Sequence, residues 1–168
     1  MVTKPKHEWA LLSYRIPREP STPRIAVWRK LKDLGVAQLG DGLVALPSSP
    51  QTIEHLEWVA AKVLEADGDA TVWIASPSAR RHGEALAQQL QEARDTEYTE
   101  LVDEVESTKT ADLRTIKRWR REWQRIARRD YFAGELRDRA RLVIATRSAQ
   151  LDSSDVDDVT APTIQEGT

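Results

Sequence analysis

An α+β fold is predicted, a small mixed module followed by a helical extension. Two observations predict it. Short β-favouring runs alternate with segments of helical period up to residue 75, and from Pro77 onward apolar residues recur only at three- and four-residue steps.

Trp9 to Ile16, rich in apolar and aromatic residues and ended by Pro17, reads as a largely buried strand. Ser21-Thr22-Pro23 offers an N-cap with proline at the first helical position, and Gly35 a stop, around a helix with Val27, Trp28, Leu31 and Leu34 on one side. Val36–Leu39 and Leu43–Leu46 flank Gly40-Asp41-Gly42, residues that tolerate the positive φ of a tight hairpin. A second helix follows Pro50, with Ile53, Leu56, Val59, Ala60 and Val63 on one face and a close near Asp67-Gly68. Ala70 to Ala75 makes a fourth strand. The order βαββαβ is the ferredoxin-like plan, an antiparallel sheet with two helices on one face. A winged helix is the rival, since a helix ending in Leu-Gly before a Gly-centred hairpin also describes that fold.

Beyond Pro77 the acidic stretch carrying Leu86, Leu90, Ala93, Tyr98, Leu101, Val102 and Val105 is a long helix that breaks near Ser107 to Thr110. Asp112 or Thr110 caps the next one, where Leu113, Ile116, Trp119, Trp123, Ile126 and Ala127 share a side. Leu136 to Val143 adds a short helical piece after Gly134. The remaining Asp-, Ser- and Thr-rich residues lack a periodic face and are expected to be disordered. The expected divisions are a module over 1–78, a helical extension packed on it over 79–147, and a disordered acidic tail over 148–168.

Composition narrows the function. No apolar run approaches the roughly 18 residues of a membrane span, and Met1 to His7 lacks the apolar stretch of a secretory signal, so the chain is expected in the cytoplasm. With no cysteine there is no disulfide, thiolate metal site or thiol redox chemistry. His7, His55 and His82 lack metal-ligand spacing, and neither a phosphate-binding glycine loop nor a nucleophile-base pair is recognisable. No cofactor, metal or catalytic residue is expected, and the chain reads as a non-enzyme.

The net charge of −2 hides segregation, with Glu84 to Glu106 acidic and Arg114 to Arg147 rich in arginine. Arg114, Arg118, Arg121, Arg125 and Arg128 fall on one helix side, opposite Trp119 and Trp123. Guanidinium groups so arranged can grip phosphates or another tetrahedral oxyanion. The bland reading is a solvated face neutralised by Glu97, Glu100, Asp103 and Glu104 of the acidic helix. Of the six tryptophans, Trp9, Trp28, Trp58 and Trp73 are expected in the module's core. Trp119 and Trp123 are expected to dock their helix on the module or on a second subunit. Arg24, opening the first helix, could bind an anion there or pair with a buried carboxylate, and the structural role is preferred.

Several stretches resemble the N-terminal domain of the chromate-resistance ChrB family. They are Trp9-Ala-Leu-Leu with Tyr14 and Ile16-Pro17, Arg24 with Val27-Trp28-Arg29, Leu31 with Leu34-Gly35, Leu43 to Pro47, Ala93-Arg94-Asp95 with Tyr98, and Ala127-Arg128-Arg129-Asp130-Tyr131-Phe132. The resemblance spans residues 8 to 147, and its early part is also similar to the ferredoxin-like region of PaaX-type repressors. It implies a transcriptional regulator of chromate resistance, DNA-associated and responsive to the chromate oxyanion. A homodimer is the expected assembly. The rivals are a non-catalytic dimerisation or interaction module and, more remotely, an enzyme acting on chromate. Longer family members carry a further C-terminal domain, which puts effector sensing by this chain in question.

Overall fold

A computed structural model describes residues 8–157. It is an α+β structure with a four-stranded antiparallel sheet and five helices. In chain order these are β1 (Trp9–Arg15), α1 (Ser21–Leu34), β2 (Ala37–Gly40), β3 (Leu43–Pro47), α2 (Pro50–Glu65), β4 (Asp69–Ala75), α3 (Arg80–Ser107), α4 (Leu113–Ala127) and α5 (Glu135–Asp157). They form two compact units. The first holds residues up to Arg94 together with Arg128–Phe132, and the second holds Asp95–Ala127 and the residues from Ala133. The division therefore falls within α3, whereas the composition shift near residue 78 coincides only with the start of that helix.

In the first unit the strand order is β2-β3-β1-β4, with every neighbouring pair antiparallel. β1 lies inside the sheet and α2 in its core, whereas a winged helix leaves both without a place. Because side chains alternate across a strand, β1 presents Ala10 and Leu12 to one face and Trp9 and Leu11 to the other. The first face buries Val44 and Leu46 of β3 with Val27, Leu31 and Leu34 of α1 and Leu56, Val59 and Val63 of α2. The second face packs Trp9, Leu11, Ala37 and Ala45 against Leu86, Ala87 and Leu90 of α3. The start of α3 is thus the cover that the second face of the sheet requires.

Local chemistry explains the helix ends. α1 begins directly after Pro20, without a side-chain cap, so the expected Ser21 cap does not form. Pro23 sits in the first turn, where its missing N–H costs nothing. α2 starts from a capping box, the Ser49 hydroxyl accepting from the Thr52 N–H at 3.1 Å while Thr52 Oγ1 accepts from the Ser49 N–H at 2.9 Å.

The C-terminus of α1 is the most constrained point of the first unit. Gly35 takes a left-handed conformation (φ 66°), and the Val36 N–H reaches back to the Leu31 carbonyl at 3.4 Å. Tyr131 Oη donates to the Leu34 carbonyl at 2.6 Å. Arg94 is buried, 7% exposed, and a Cβ on Gly35 would lie 2.6 Å from its Nη1 and 3.0 Å from Arg129 Cβ. The carbonyl end of a helix carries partial negative charge, which favours a guanidinium in its vicinity. Burial pushes the Tyr131 phenol up, against the opposing pull of Arg94 and Arg129, so it stays a donor.

The packing expectation for the first four tryptophans holds for Trp9 alone, 3% exposed. Trp28, Trp58 and Trp73 are 57%, 53% and 54% exposed. Trp28 and Trp58 each adjoin a core valine, Val27 and Val59, and one residue along a helix is a rotation of about 100° off the core face. Trp73 lies on the edge strand β4, its indole N–H donating to Ser13 Oγ at 2.9 Å.

The second unit is a three-helix core. The C-terminal half of α3 contributes Tyr98, Leu101, Val102 and Val105, α4 contributes Ile116, Trp119 and Ile126, and α5 contributes Ala140 and Ile144. Arg147 of α5 donates to the Val105 carbonyl at 3.2 and 3.3 Å and to that of Thr108, so its guanidinium caps the end of α3. α5 runs far beyond the short piece expected over Leu136–Val143. Residues 148 to 157, assigned from composition to a disordered tail, continue it. Packing of Ala140, Val143, Ile144 and Leu151 supplies the stability that local composition does not advertise. The rest of the expected tail lies outside the described residues.

Two substitutions test the α1 terminus. Gly35→Ala must force a left-handed residue and displace Arg94, and is expected to lower unfolding free energy by about 2 kcal/mol or more. Tyr131→Phe loses one hydrogen bond and is expected to cost about 1 kcal/mol. Urea denaturation of both variants checks the order and size.

Candidate anion-binding face of the second unit

α4 is fifteen residues long and spans about 22 Å. It carries six cations, Arg114, Lys117, Arg118, Arg120, Arg121 and Arg125, against one carboxylate, Glu122. All six cations are exposed, while Ile116, Trp119 and Ile126 are buried on the opposite side. The sequence dictates this separation, because residues three and four apart share a face at 100° per residue. Asp112 starts the helix as one of the two expected caps, its carboxylate accepting from the Thr115 N–H at 2.7 Å. The Thr115 side chain first, and then this backbone hydrogen bond, hold its carboxyl below the ordinary value.

Of the five arginines singled out in the sequence, Arg114, Arg118, Arg121 and Arg125 lie on this face. Arg128 is exposed but follows the last residue of α4, within the 128–132 segment that belongs to the first unit. Arg24 also belongs to the first unit, exposed on α1. It makes no ion pair among the described residues, so the buried carboxylate partner preferred for it is not found.

The acidic helix neutralises this face only in part. Glu104 of α3 pairs with Arg118 and at the same time accepts from the Trp119 indole N–H at 2.9 Å. Arg125 is bonded within α4 to Glu122, at 3.1 Å through Nε. Glu106 pairs instead with Arg139 of α5 at 3.2 Å. Arg121 makes no hydrogen bond or ion pair among the described residues, and Arg114 has Asp112 for an electrostatic neighbour. Arg120 donates to Ser148 Oγ at 2.8 Å. The result is a helix face with net positive charge and guanidinium donors still directed to solvent, able to take up phosphate or a tetrahedral oxyanion.

Trp119 and Trp123 sit in the second unit's own packing. Trp119 is fully buried, and the Trp123 indole N–H donates to the Arg137 carbonyl at 3.0 Å with the Arg137 guanidinium 5.6 Å from its ring. Residues that reasoning on spacing alone passed over are Arg94, Tyr131 and Arg147, whereas Glu104 is one of the four carboxylates expected to meet this face. Arg94 and Tyr131 fall in stretches that carry the family resemblance, and that was their one signal. Arg147 looks like an ordinary surface charge in sequence.

The fold is that of a small α+β unit joined to a three-helix unit with an arginine-rich face, and no described helix is long and apolar enough to cross a membrane. The chain belongs to the family described as Protein ChrB, N-terminal, whose model matches residues 24–155. It is similar to Protein ChrB of Cupriavidus metallidurans, at 30% identity over 158 residues, covering 89% of this chain and 48% of that protein. The chain thus spans about half the length of that relative. No solved structure matches it.

Glu104 offers a test by pH. Arg118 first, then Trp119, holds its carboxyl below the ordinary value of 4.5. A lowered folded-state pKa contributes stability above the unfolded value that is lost as pH falls through the folded one. Glu104→Gln is therefore expected to lower the melting temperature at neutral pH, with the gap to wild type narrowing below about pH 4. Thermal melts across that range check it.

Proposed function

We propose that this chain is a cytoplasmic, non-catalytic regulator of chromate resistance that engages DNA through the phosphate backbone and responds to chromate. The observation that carries the reading is the solvent-facing row of Arg114, Arg118, Arg121 and Arg125 on α4. Such a row supplies salt-dependent affinity and orientation, with little sequence information of its own. Sequence preference would come from a second copy setting half-site spacing, in keeping with a homodimer. Chromate, a dianion with sulfate-like geometry, suits the same guanidinium donors, and a chain without cysteine offers it binding rather than thiol reduction. The first unit is read as ferredoxin-like, on the strand order β2-β3-β1-β4 and the placement of α1 and α2 on one face.

A second reading, an interaction module without DNA readout, draws on the half-exposed Trp58 in the groove between α1 and α2, with Lys30 and Lys62 at 5.3 and 5.4 Å from its ring. Sedimentation distinguishes the two. A dimer that co-sediments with DNA favours the first, and a dimer indifferent to DNA the second.

The regulator reading predicts specific binding to the chain's own upstream DNA that weakens steeply from low to moderate salt and is relieved by chromate. Replacing the four arginines by glutamine should flatten the slope of log K against log salt by about one for each phosphate that is no longer neutralised. Unchanged affinity in that variant, or identical binding to an unrelated duplex with no chromate effect, rules the reading out.

A further inference from the structure

At one end of the sheet in the first unit, the exit of β1, the first turns of α1 and the β2–β3 hairpin converge around a pocket of about 780 Å³. The convergence is held by backbone. The Tyr14 N–H donates to the Gly42 carbonyl at 2.7 Å. Gly42 has φ 70°, and a Cβ there would lie 2.2 Å from the Tyr14 carbonyl oxygen, so this approach requires glycine. Arg15 from β1 and Arg24 from α1 both line the pocket, and neither guanidinium makes an ion pair or hydrogen bond among the described residues. Arg24 sits near an α1 N-terminus whose first turn holds no acidic residue. The helix dipole disfavours a cation at that end, and an incoming anion reverses the sign.

The other walls are of a different character. Ile16, Ile25 and Trp28 give an apolar side. Trp28 is 57% exposed, with the Lys32 ammonium 5.1 Å from its ring centroid. Asp41 is the single acid on the lining. It faces Tyr14, whose phenol is raised first by burial and then by that carboxylate, so Tyr14 presents an O–H donor at neutral pH. The volume lies in the range of small-molecule sites and is far larger than a bare tetrahedral oxyanion fills.

We infer that this pocket is a binding site for a small organic anion with a flat apolar body, its carboxylate or phosphate held by Arg15 and Arg24 and its ring laid against Trp28 and Ile25. Bidentate guanidinium contacts select the acid group, the indole face selects the ring, and Asp41 accepts a hydrogen bond from a donor on the body. The site is separate from the α4 face and does not depend on the DNA-binding reading.

Calorimetric titration of the full chain with phenyl phosphate and with inorganic phosphate, at fixed ionic strength, tests it. Phenyl phosphate is expected to bind at least about tenfold tighter than inorganic phosphate. Arg15→Gln and Arg24→Gln should each weaken it by about tenfold or more. Trp28→Ala should bring its affinity down to that of inorganic phosphate, and Arg121→Gln on α4 should leave it unchanged. Circular dichroism checks that each variant folds, and Arg24→Lys, which keeps the charge but loses the planar fork, should still lose most of the affinity. Absence of phenyl phosphate binding at millimolar concentration, equal affinity for the two probes, or loss of binding in Arg121→Gln but not in Arg24→Gln overturns the inference.

Discussion

The end of α1 constrains more of the first unit than any other point in it. A left-handed glycine, a buried guanidinium and a phenol meet within one turn, and each is placed by a different part of the chain, Gly35 after α1, Arg94 in the middle of α3 and Tyr131 after α4. Gly35 has to lack a Cβ both for its φ and for the room Arg94 occupies. The carbonyls freed at the helix end then give Tyr131 an acceptor and the buried charge a favourable field. Residues nearly a hundred positions apart are thereby tied to one helix terminus, and the segment 128–132 belongs to the first unit although both its flanks belong to the second.

The second unit is organised by a related economy. Glu104 uses one carboxylate oxygen to hold both a surface arginine and a buried indole, so the polar face and the core of α4 are registered to α3 through a single atom. Arg147 does the same for α5 by closing the carbonyl end of α3. Charges of α3, α4 and α5 are therefore divided in role. Some are consumed in holding helices together, and those remaining on α4 give it the electrostatic character on which its proposed function rests.

How legible all this was depends on the range of the interaction. The strands and helices of the first unit read correctly from period and punctuation, because the alternation in Trp9 to Arg15 and the spacing of Leu56, Val59 and Val63 are local consequences of burial. The arginine face of α4 was legible for the same reason. Three tryptophans misled, since Trp28 and Trp58 lie one residue from true core positions and size alone suggested burial. α5 was underestimated because its apolar residues are sparse and its polar C-terminal part resembles a tail, yet a few side chains seated in a preformed core suffice to extend it.

By itself the sequence determined the α+β class, the helical second half, the absence of thiol chemistry and the presence of one strongly cationic helix side, all of which follow from residue type and spacing along a few turns. Tertiary structure alone decided which carboxylates neutralise which arginines, why Gly35 and Gly42 must be glycine, and that Arg15, Arg24 and Trp28 share the walls of one pocket. Those are contacts between residues distant in sequence. Their partners are selected by the geometry of packed elements, and no local pattern in the chain records it.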